Sequence, residues 1–342
     1  MKLTTPGGHS RPSMKDVARH ARVSMGTVSN VLNNPTVVTD ATRERVEKAI
    51  ADLGFVRNEA ARRLAVGRSH TVGFVVVDLG NSFFLDITRG IEAGLDEQSR
   101  QLVLANSDVD LDKQNAHLTL FEESQLSGLI LAPLDAPLDA AYAVRDRGTP
   151  LVLVNWPGAD DACGVVNDDE FGGYIAARHL IENGRTRLLF AGGPFGLRAI
   201  SDRLHGAQRA VAEEAGVSLE VIETERITMR GGTELGDELS ARSAHLRPDG
   251  LIAAADALAA GAIHALQVRG IDVPRDIAVI GHDNNHFAHD NVVPISSVAQ
   301  PGQDMGLTAA ALLLEEILTP DEHTHRTVTM QPSLVVRESS GA

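Results

Sequence analysis

The chain has 342 residues, 43% of them hydrophobic and 4% aromatic, with a formal net charge of −15. That is enough for a small head and two ordinary domains with real cores, and too apolar for a disordered chain. A single cysteine, Cys163, excludes an internal disulfide and fits a reducing compartment; with no export-signal pattern and no membrane-spanning run, a cytoplasmic protein is expected.

The charge is unevenly spread. Residues 1–69 hold 12 Lys and Arg against 6 Asp and Glu, a net +6, leaving 19 against 40, or −21, on the remainder. An acidic body repels phosphate, so the basic segment is the part suited to nucleic acid.

In chain order, residues 1–12, with Pro6-Gly7-Gly8 and Pro12, read as a disordered leader. Ser13, with Asp16 three residues on, predicts a capping-box variant opening a first helix whose Val17, Ala18 and Ala21 share one face. After a turn at Arg22-Val23, Ser24 caps a second helix through Leu32, with Val28, Val31 and Leu32 inward and Met25, Gly26, Thr27, Ser29 and Asn30 outward. Pro35 stops it. Thr39 is placed as the cap of a third helix carrying a Val46, Ala49, Ile50, Leu53 stripe, and Gly54 supplies the left-handed exit. Two short helices around a tight turn, braced by a third, describe a helix-turn-helix that inserts the start of its second helix into the major groove.

The runs Lys15-Asp16-Val17-Ala18-Arg19-His20-Ala21-Arg22-Val23-Ser24, Thr27-Val28-Ser29-Asn30-Val31-Leu32-Asn33, Thr42-Arg43-Glu44-Arg45-Val46 and Leu53-Gly54-Phe55 resemble the head of lactose-repressor (LacI) family regulators. The resemblance implies DNA contacts from Ser24, Met25, Gly26, Thr27, Ser29, Asn30 and Asn33. Asn30 stands where family members usually carry Arg; Asn favours adenine where Arg favours guanine, and Gly26 has no side chain with which to read a base. Residues 58–65 resemble the family's hinge helix, with Asn58 as cap, Ala61 among its DNA-binding positions, Arg62 and Arg63 approaching phosphates, and Leu64 as a minor-groove wedge. So short a segment is expected to order only on DNA. Arg57 replaces the usual Pro.

From Val72 onward apolar runs alternate with amphipathic ones. Strands are predicted at about 72–78, 102–106, 128–132 and 151–155, then 187–191, 220–223, 250–254 and 277–281. Helices are predicted at about 84–99, 112–126, 137–147, 169–183, 200–215, 232–242 and 257–269. This pattern implies two parallel sheets covered by helices, hence two α/β lobes with a ligand cleft beyond the carboxyl ends of the strands. The helix near 303–318 is apolar on more than one face, and its Ala309, Ala310, Leu313 and Leu314 suit either core or subunit contact. Leu334-Val335-Val336-Arg337 reads as a last strand.

The segments Ser127-Gly128-Leu129-Ile130-Leu131, Arg203-Leu204-His205-Gly206, Val273-Pro274-Arg275-Asp276-Ile277-Ala278-Val279-Ile280-Gly281 and Pro294-Ile295-Ser296-Ser297-Val298 resemble the periplasmic-binding-protein-like effector domain of the same family. The implied organisation is an all-α helix-turn-helix head at 13–57, hinge helix and linker at 58–70, and a two-lobed effector-binding and dimerisation domain at 71–342. Three crossings near 165, 295 and 325 divide it into lobe 1 (about 71–165 and 295–325) and lobe 2 (about 166–294 and 326–338).

Effector contacts are expected from residues at strand ends: Phe83, Phe84, Asp108, Asn155-Trp156, Arg203, Asp256 and Asp283. Arg donors beside carboxylate acceptors suit vicinal hydroxyls, and Trp156 or Phe84 can cover an apolar ring face, which favours a sugar or nucleoside-like effector.

No metal and no cofactor are expected. His282, His286 and His289 lack a companion Cys and read as incidental, Cys163 as a small buried residue, and Gly192-Gly193-Pro194-Phe195-Gly196 as a tight turn near the cleft. No nucleophile elbow or catalytic spacing marks an enzyme, and a secreted solute receptor has no use for residues 14–64. The expected protein is a DNA-binding regulator acting as a homodimer on near-palindromic double-stranded operator DNA, controlled by a small effector.

Overall fold

A computed structural model describes residues 12–55, 69–134, 137–159 and 161–341, which fall into two compact units divided between Arg68 and Ser69. The expected leader lies outside the described residues apart from Pro12, and the expected hinge helix lies outside them entirely. Among the described residues no helix is long and apolar enough to cross a membrane.

The first unit contains helices α1 (Met14–Ala21), α2 (Met25–Asn33) and α3 (Asp40–Leu53). The Ser13–Asp16 capping box is formed in both directions. Ser24 accepts from the Thr27 amide, and Gly54 closes α3 at φ 60°. Thr39 is the N-cap of α3, as expected, but makes no side-chain capping bond; its hydroxyl donates to Thr42 Oγ1 at 3.0 Å instead. Val17, Val28, Val31, Val46 and Ala49 form the miniature core.

The second unit opens with β1 (Thr71–Val76), α4 (Ser82–Asp96), β2 (Gln101–Asn106), α5 (Leu111–Glu123), β3 (Gly128–Leu131), α6 (Asp139–Asp146), β4 (Leu151–Val154) and β5 (Cys163–Asn167). It continues with α7 (Asp169–Glu182), β6 (Arg187–Gly192), α8 (Arg198–Ala212), β7 (Ser218–Glu223), α9 (Met229–Ala241), β8 (Gly250–Ala253) and α10 (Asp256–Val268). Last come β9 (Ala278–Asp283), α11 (His286–His289), β10 (Ser296–Ala299), α12 (Gly302–Leu318), β11 (Thr327–Met330) and β12 (Ser333–Val335).

Two six-stranded sheets result, in the orders β11-β5-β4-β3-β1-β2 and β12-β10-β9-β8-β6-β7. Every pairing is parallel except that of β10 with β12. The chain passes between sheets after β5, between β10 and α12, and between β11 and β12. Two of these crossings depart from the sequence expectation. Ser296–Ala299 stays with lobe 2 because it pairs with β9, which moves the crossing expected near 295 to about residue 300. Thr327–Met330 stays with lobe 1 through β5, which moves the one expected near 325 beyond Met330.

Of the residues on α12 with two readings, Ala309, Ala310 and Leu313 are buried in the lobe-1 core. Glycines allow close helix contact where it matters most for the site. A Cβ on Gly173 of α7 would stand 1.8 Å from the Arg203 carbonyl oxygen of α8, and one on Gly206 of α8 would stand 1.8 Å from the Glu170 carbonyl oxygen. Only hydrogen fits there, so α7 and α8 press together and Asp169, at the start of α7, reaches Arg203.

Candidate functional site

In the first unit, the start of α2 faces outward. Met25 is 52% exposed, Ser24, Gly26, Asn30 and Asn33 are also exposed, and Thr27 and Ser29 are half-buried. Ser24 is committed to the helix end, bonding the Thr27 amide at 3.0 Å and the Thr27 hydroxyl at 2.9 Å. Asn33 donates to Ser29 Oγ at 3.2 Å. Asn58, Ala61, Arg62 and Leu64 lie outside the described residues.

In the second unit, a cavity of about 400 Å³ opens between the lobes at the carboxyl ends of the strands. That is the size of a small-ligand pocket. Lobe 1 contributes Phe83 and Phe84 from the first turn of α4, together with Asn155 and Trp156 after β4. Lobe 2 contributes Arg203, Asp283 and Asn285, and the turn at Gly193-Pro194. Three non-glycine residues lining it take positive φ: Val109 (57°), Asn155 (58°) and Asp283 (96°). Such backbone is uncommon outside Asn and Asp and gathers at binding sites.

Six of the expected effector residues, Phe83, Phe84, Asn155, Trp156, Arg203 and Asp283, therefore line one cavity, and two do not. Asp108 is exposed, takes φ 55° and pairs with Lys113 at 3.4 Å. Asp256 is wholly buried. It accepts from Ser297 Oγ at 2.6 Å and from the Asn285 amide at 2.8 Å, and burial, reinforced by the neighbouring Asp283 charge, pushes its carboxyl well up. Its work is to hold the Asn285 backbone beneath the cavity wall.

Arg203 is fixed by its Nε donating to Asp169 Oδ1 at 2.8 Å and its Nη1 donating to the Ala254 carbonyl at 2.6 Å. Its Nη2 lies 3.7 Å from Asp283 Oδ1, which also accepts from Gln300 Nε2 at 2.8 Å. Asp283 Oδ2 is buried without a hydrogen-bond partner among the described residues. An acceptor left in that state costs about 1–3 kcal/mol and is ready for a donor from a ligand. Burial pushes the Asp283 carboxyl to about 7, against the lowering pull of Arg203. Asn81, in the facing lobe, is among the groups that lower it. The floor of the cavity thus offers a fixed guanidinium beside a hungry carboxylate, with aromatic faces opposite.

Sequence reasoning missed Asn81, Asp169 and Asn285. Asn81 carried a readable signal as a cap at a strand-to-helix junction, where it accepts from the Phe83 amide. The three histidines read as incidental do not converge on a metal: His282 is buried in β9, while His286 and His289 are exposed on α11.

A helix-turn-helix unit followed by two α/β lobes around a cleft is the layout of a DNA-binding regulator. Comparison with known proteins agrees. A model of bacterial regulatory proteins of the lacI family matches residues 13–58, and a periplasmic binding protein-like domain matches residues 177–340. The HTH-type transcriptional repressor PurR of Aliivibrio fischeri (strain MJ11) is 32% identical over 332 residues, 96% of this chain and 98% of the relative. The ribose operon repressor of Haemophilus influenzae is 30% identical over 331 residues, with the same coverage. Among solved structures, the complex of the transcriptional regulator CelR with cellobiose superimposes with a TM-score of 0.70 at 30% identity, covering 96% of this chain and all of the other. The chain belongs to the lacI family of bacterial regulatory proteins. It is a DNA-binding transcriptional regulator and not an enzyme.

Proposed function

We propose that the chain represses transcription as a homodimer on a near-palindromic operator, and that a small polyhydroxylated effector, a sugar or a nucleoside-like compound, seats between the lobes and alters operator affinity. The observation that carries the effector class is the pairing of Arg203 with the unpartnered Asp283 Oδ2 on the cavity floor. One donor and one acceptor side by side match the two faces of a vicinal diol, while Phe83, Phe84 and Trp156 supply apolar cover for a ring. The relatives support this class: one is named for the ribose operon and another was solved with cellobiose. The dimer follows from the geometry of reading, since one head spans only a half-site.

The coupling runs through the crossings. Gln300, at the second crossing, holds Asp283; Gln331, at the third, donates to Asp168 at the first, at 3.2 Å. A ligand that recruits Asp283 therefore pulls on the segments that set the angle between lobes, and it is an effector if it favours one angle over the other. On the DNA side, Met25, Asn30 and Asn33 present exposed side chains on the reading helix, with Leu64 assigned to the minor groove from the sequence.

The test is to select duplexes bound by the full-length protein, then screen sugars and nucleosides first for thermal stabilisation and then for a change in operator affinity. One ligand class is expected to do both. Leu64→Ala is expected to weaken specific operator binding while leaving effector binding intact. Absence of any preferred duplex, or equal damage to both activities by Leu64→Ala, sinks the reading.

A further inference from the structure

At the end of the lobe-1 sheet remote from the cavity, three side chains far apart in sequence converge. Cys163 opens β5, level with Val152 in β4, while His323 and His325 lie in the loop between α12 and β11. The Cys163 Sγ is 3.4 Å from His323 Nε2 and 3.8 Å from His325 Nδ1, and the three ligand atoms all lie within 4.8 Å of one another. Tetrahedral coordination at ordinary zinc bond lengths, about 2.3 Å to sulfur and about 2.0 Å to nitrogen, puts sulfur and nitrogen roughly 3.5 Å apart. We propose that Cys163, His323 and His325 form a transition-metal site for an ion of the zinc class, with a fourth position open.

Two further features fit a metal better than a chance meeting of rings and thiol. First, Glu315 Oε2 sits 3.2 Å from His323 Nδ1, and Arg326 holds that carboxylate in place through both oxygens, at 2.9 and 3.1 Å. Accepting from Nδ1, it leaves Nε2 of the ring facing the sulfur. This is the carboxylate–histidine–metal arrangement that orients ligating histidines. Second, the Arg326 amide donates to Cys163 Sγ at 3.4 Å, which fixes the sulfur in position between the two rings.

Cys163 is fully buried and the His323 side chain is 1% exposed, whereas His325 is half-buried and gives the entry side. Metal binding releases the thiol proton to solvent. The ion ties the loop that leads into β11 to the first residue of β5, fastening the segment that carries the third crossing. A soft thiolate with two imidazoles selects zinc or copper over calcium and magnesium.

The experiment uses full-length protein stripped with chelator and kept reduced by a phosphine. Cobalt(II) is titrated as a spectroscopic probe, then displaced with zinc. One cobalt per chain, with sulfur-to-cobalt charge transfer and the intense visible bands of a tetrahedral ion, is expected. Cys163→Ser is expected to abolish the charge transfer. His323→Gln with His325→Gln, which leaves the buried sulfur in place, is expected to weaken zinc binding at least about tenfold and to erase a zinc-induced rise in Tm. Glu315→Gln is expected to weaken zinc binding by about ten- to a hundredfold with charge transfer retained. No charge-transfer band, or equal metal binding by wild type and the double histidine variant, overturns the proposal and marks any bound ion as adventitious.

Discussion

Asp283→Asn separates what this residue does for the effector from what it does to the empty protein. The side chain is 1% exposed, and burial lifts its carboxyl from the ordinary 3.8 to about 7. A carboxyl whose folded value is raised contributes stability below 3.8 and loses that contribution as pH rises to about 7. By pH 8 the ionised group costs the folded state about 4 kcal/mol. Asn removes the charge, and Arg203 stays balanced because Asp169 holds it at 2.8 Å. Against this, the new amide donates where Oδ2 had no partner, a cost of about 1–3 kcal/mol. The net gain at pH 8 is roughly 1–3 kcal/mol, or a Tm higher by roughly 3–10 °C. At pH 4.5 the wild-type penalty shrinks to about 1 kcal/mol and the gain vanishes. Effector affinity moves the other way: losing a charge-assisted acceptor costs about 1.5–3 kcal/mol, a Kd raised about ten- to a hundredfold. Calorimetric scans at pH 4.5 and 8, with isothermal titration of a panel ligand, read both effects. A variant that melts below wild type at pH 8, or that binds the ligand undiminished, refutes the reasoning.

Three other outcomes are expected. If the effector recruits ionised Asp283, its affinity falls about tenfold between pH 8 and pH 6, because burial holds that carboxyl at about 7 among Arg203, Asp169 and Asp256; a flat titration profile contradicts this. Gly173→Ala forces a methyl onto the Arg203 backbone, so it is expected to lose about 1–3 kcal/mol of stability and to weaken effector binding by shifting the guanidinium, both read from melting and titration. Gly26→Ala meets only Ser24 Oγ, at 3.6 Å, so the head should gain about 0.5–1 kcal/mol from helix propensity. Operator selection with that variant should also show a changed preference opposite this position, since a methyl now faces the groove.

Much of the architecture was legible because strands buried on both faces write themselves as unbroken apolar runs. Leu151–Val154 and Gly250–Ala253 are buried along their whole length. Three strands escaped notice: β5 is a short buried run with Gly164 in it and polar Asn167 at its end, and the other two differ in kind. β11 is an edge strand with alternate residues exposed. β10 is made of Ser296, Ser297, Val298 and Ala299, whose serine hydroxyls bond Ser340 and Asp256 within the fold. Neither has an apolar signature, and the crossings beside them were accordingly misplaced.

The same physics divided the candidate residues. Arg203 and Asp283 could be proposed from strand and helix positions, but position could not distinguish Asp283 from Asp256. What distinguishes them is satisfaction: Asp256 has Ser297 and Asn285 as donors, from 41 and 29 residues away, whereas one oxygen of Asp283 has none. Hydrogen-bond accounting among the described residues therefore separates the two, one carboxylate closed into the scaffold and the other with an oxygen left unbonded. It also explains why the open one is coupled to a crossing. Gln300 spends its amide on Asp283 Oδ1, so any ligand that draws Asp283 toward itself must stretch, or carry along, the segment joining the lobes.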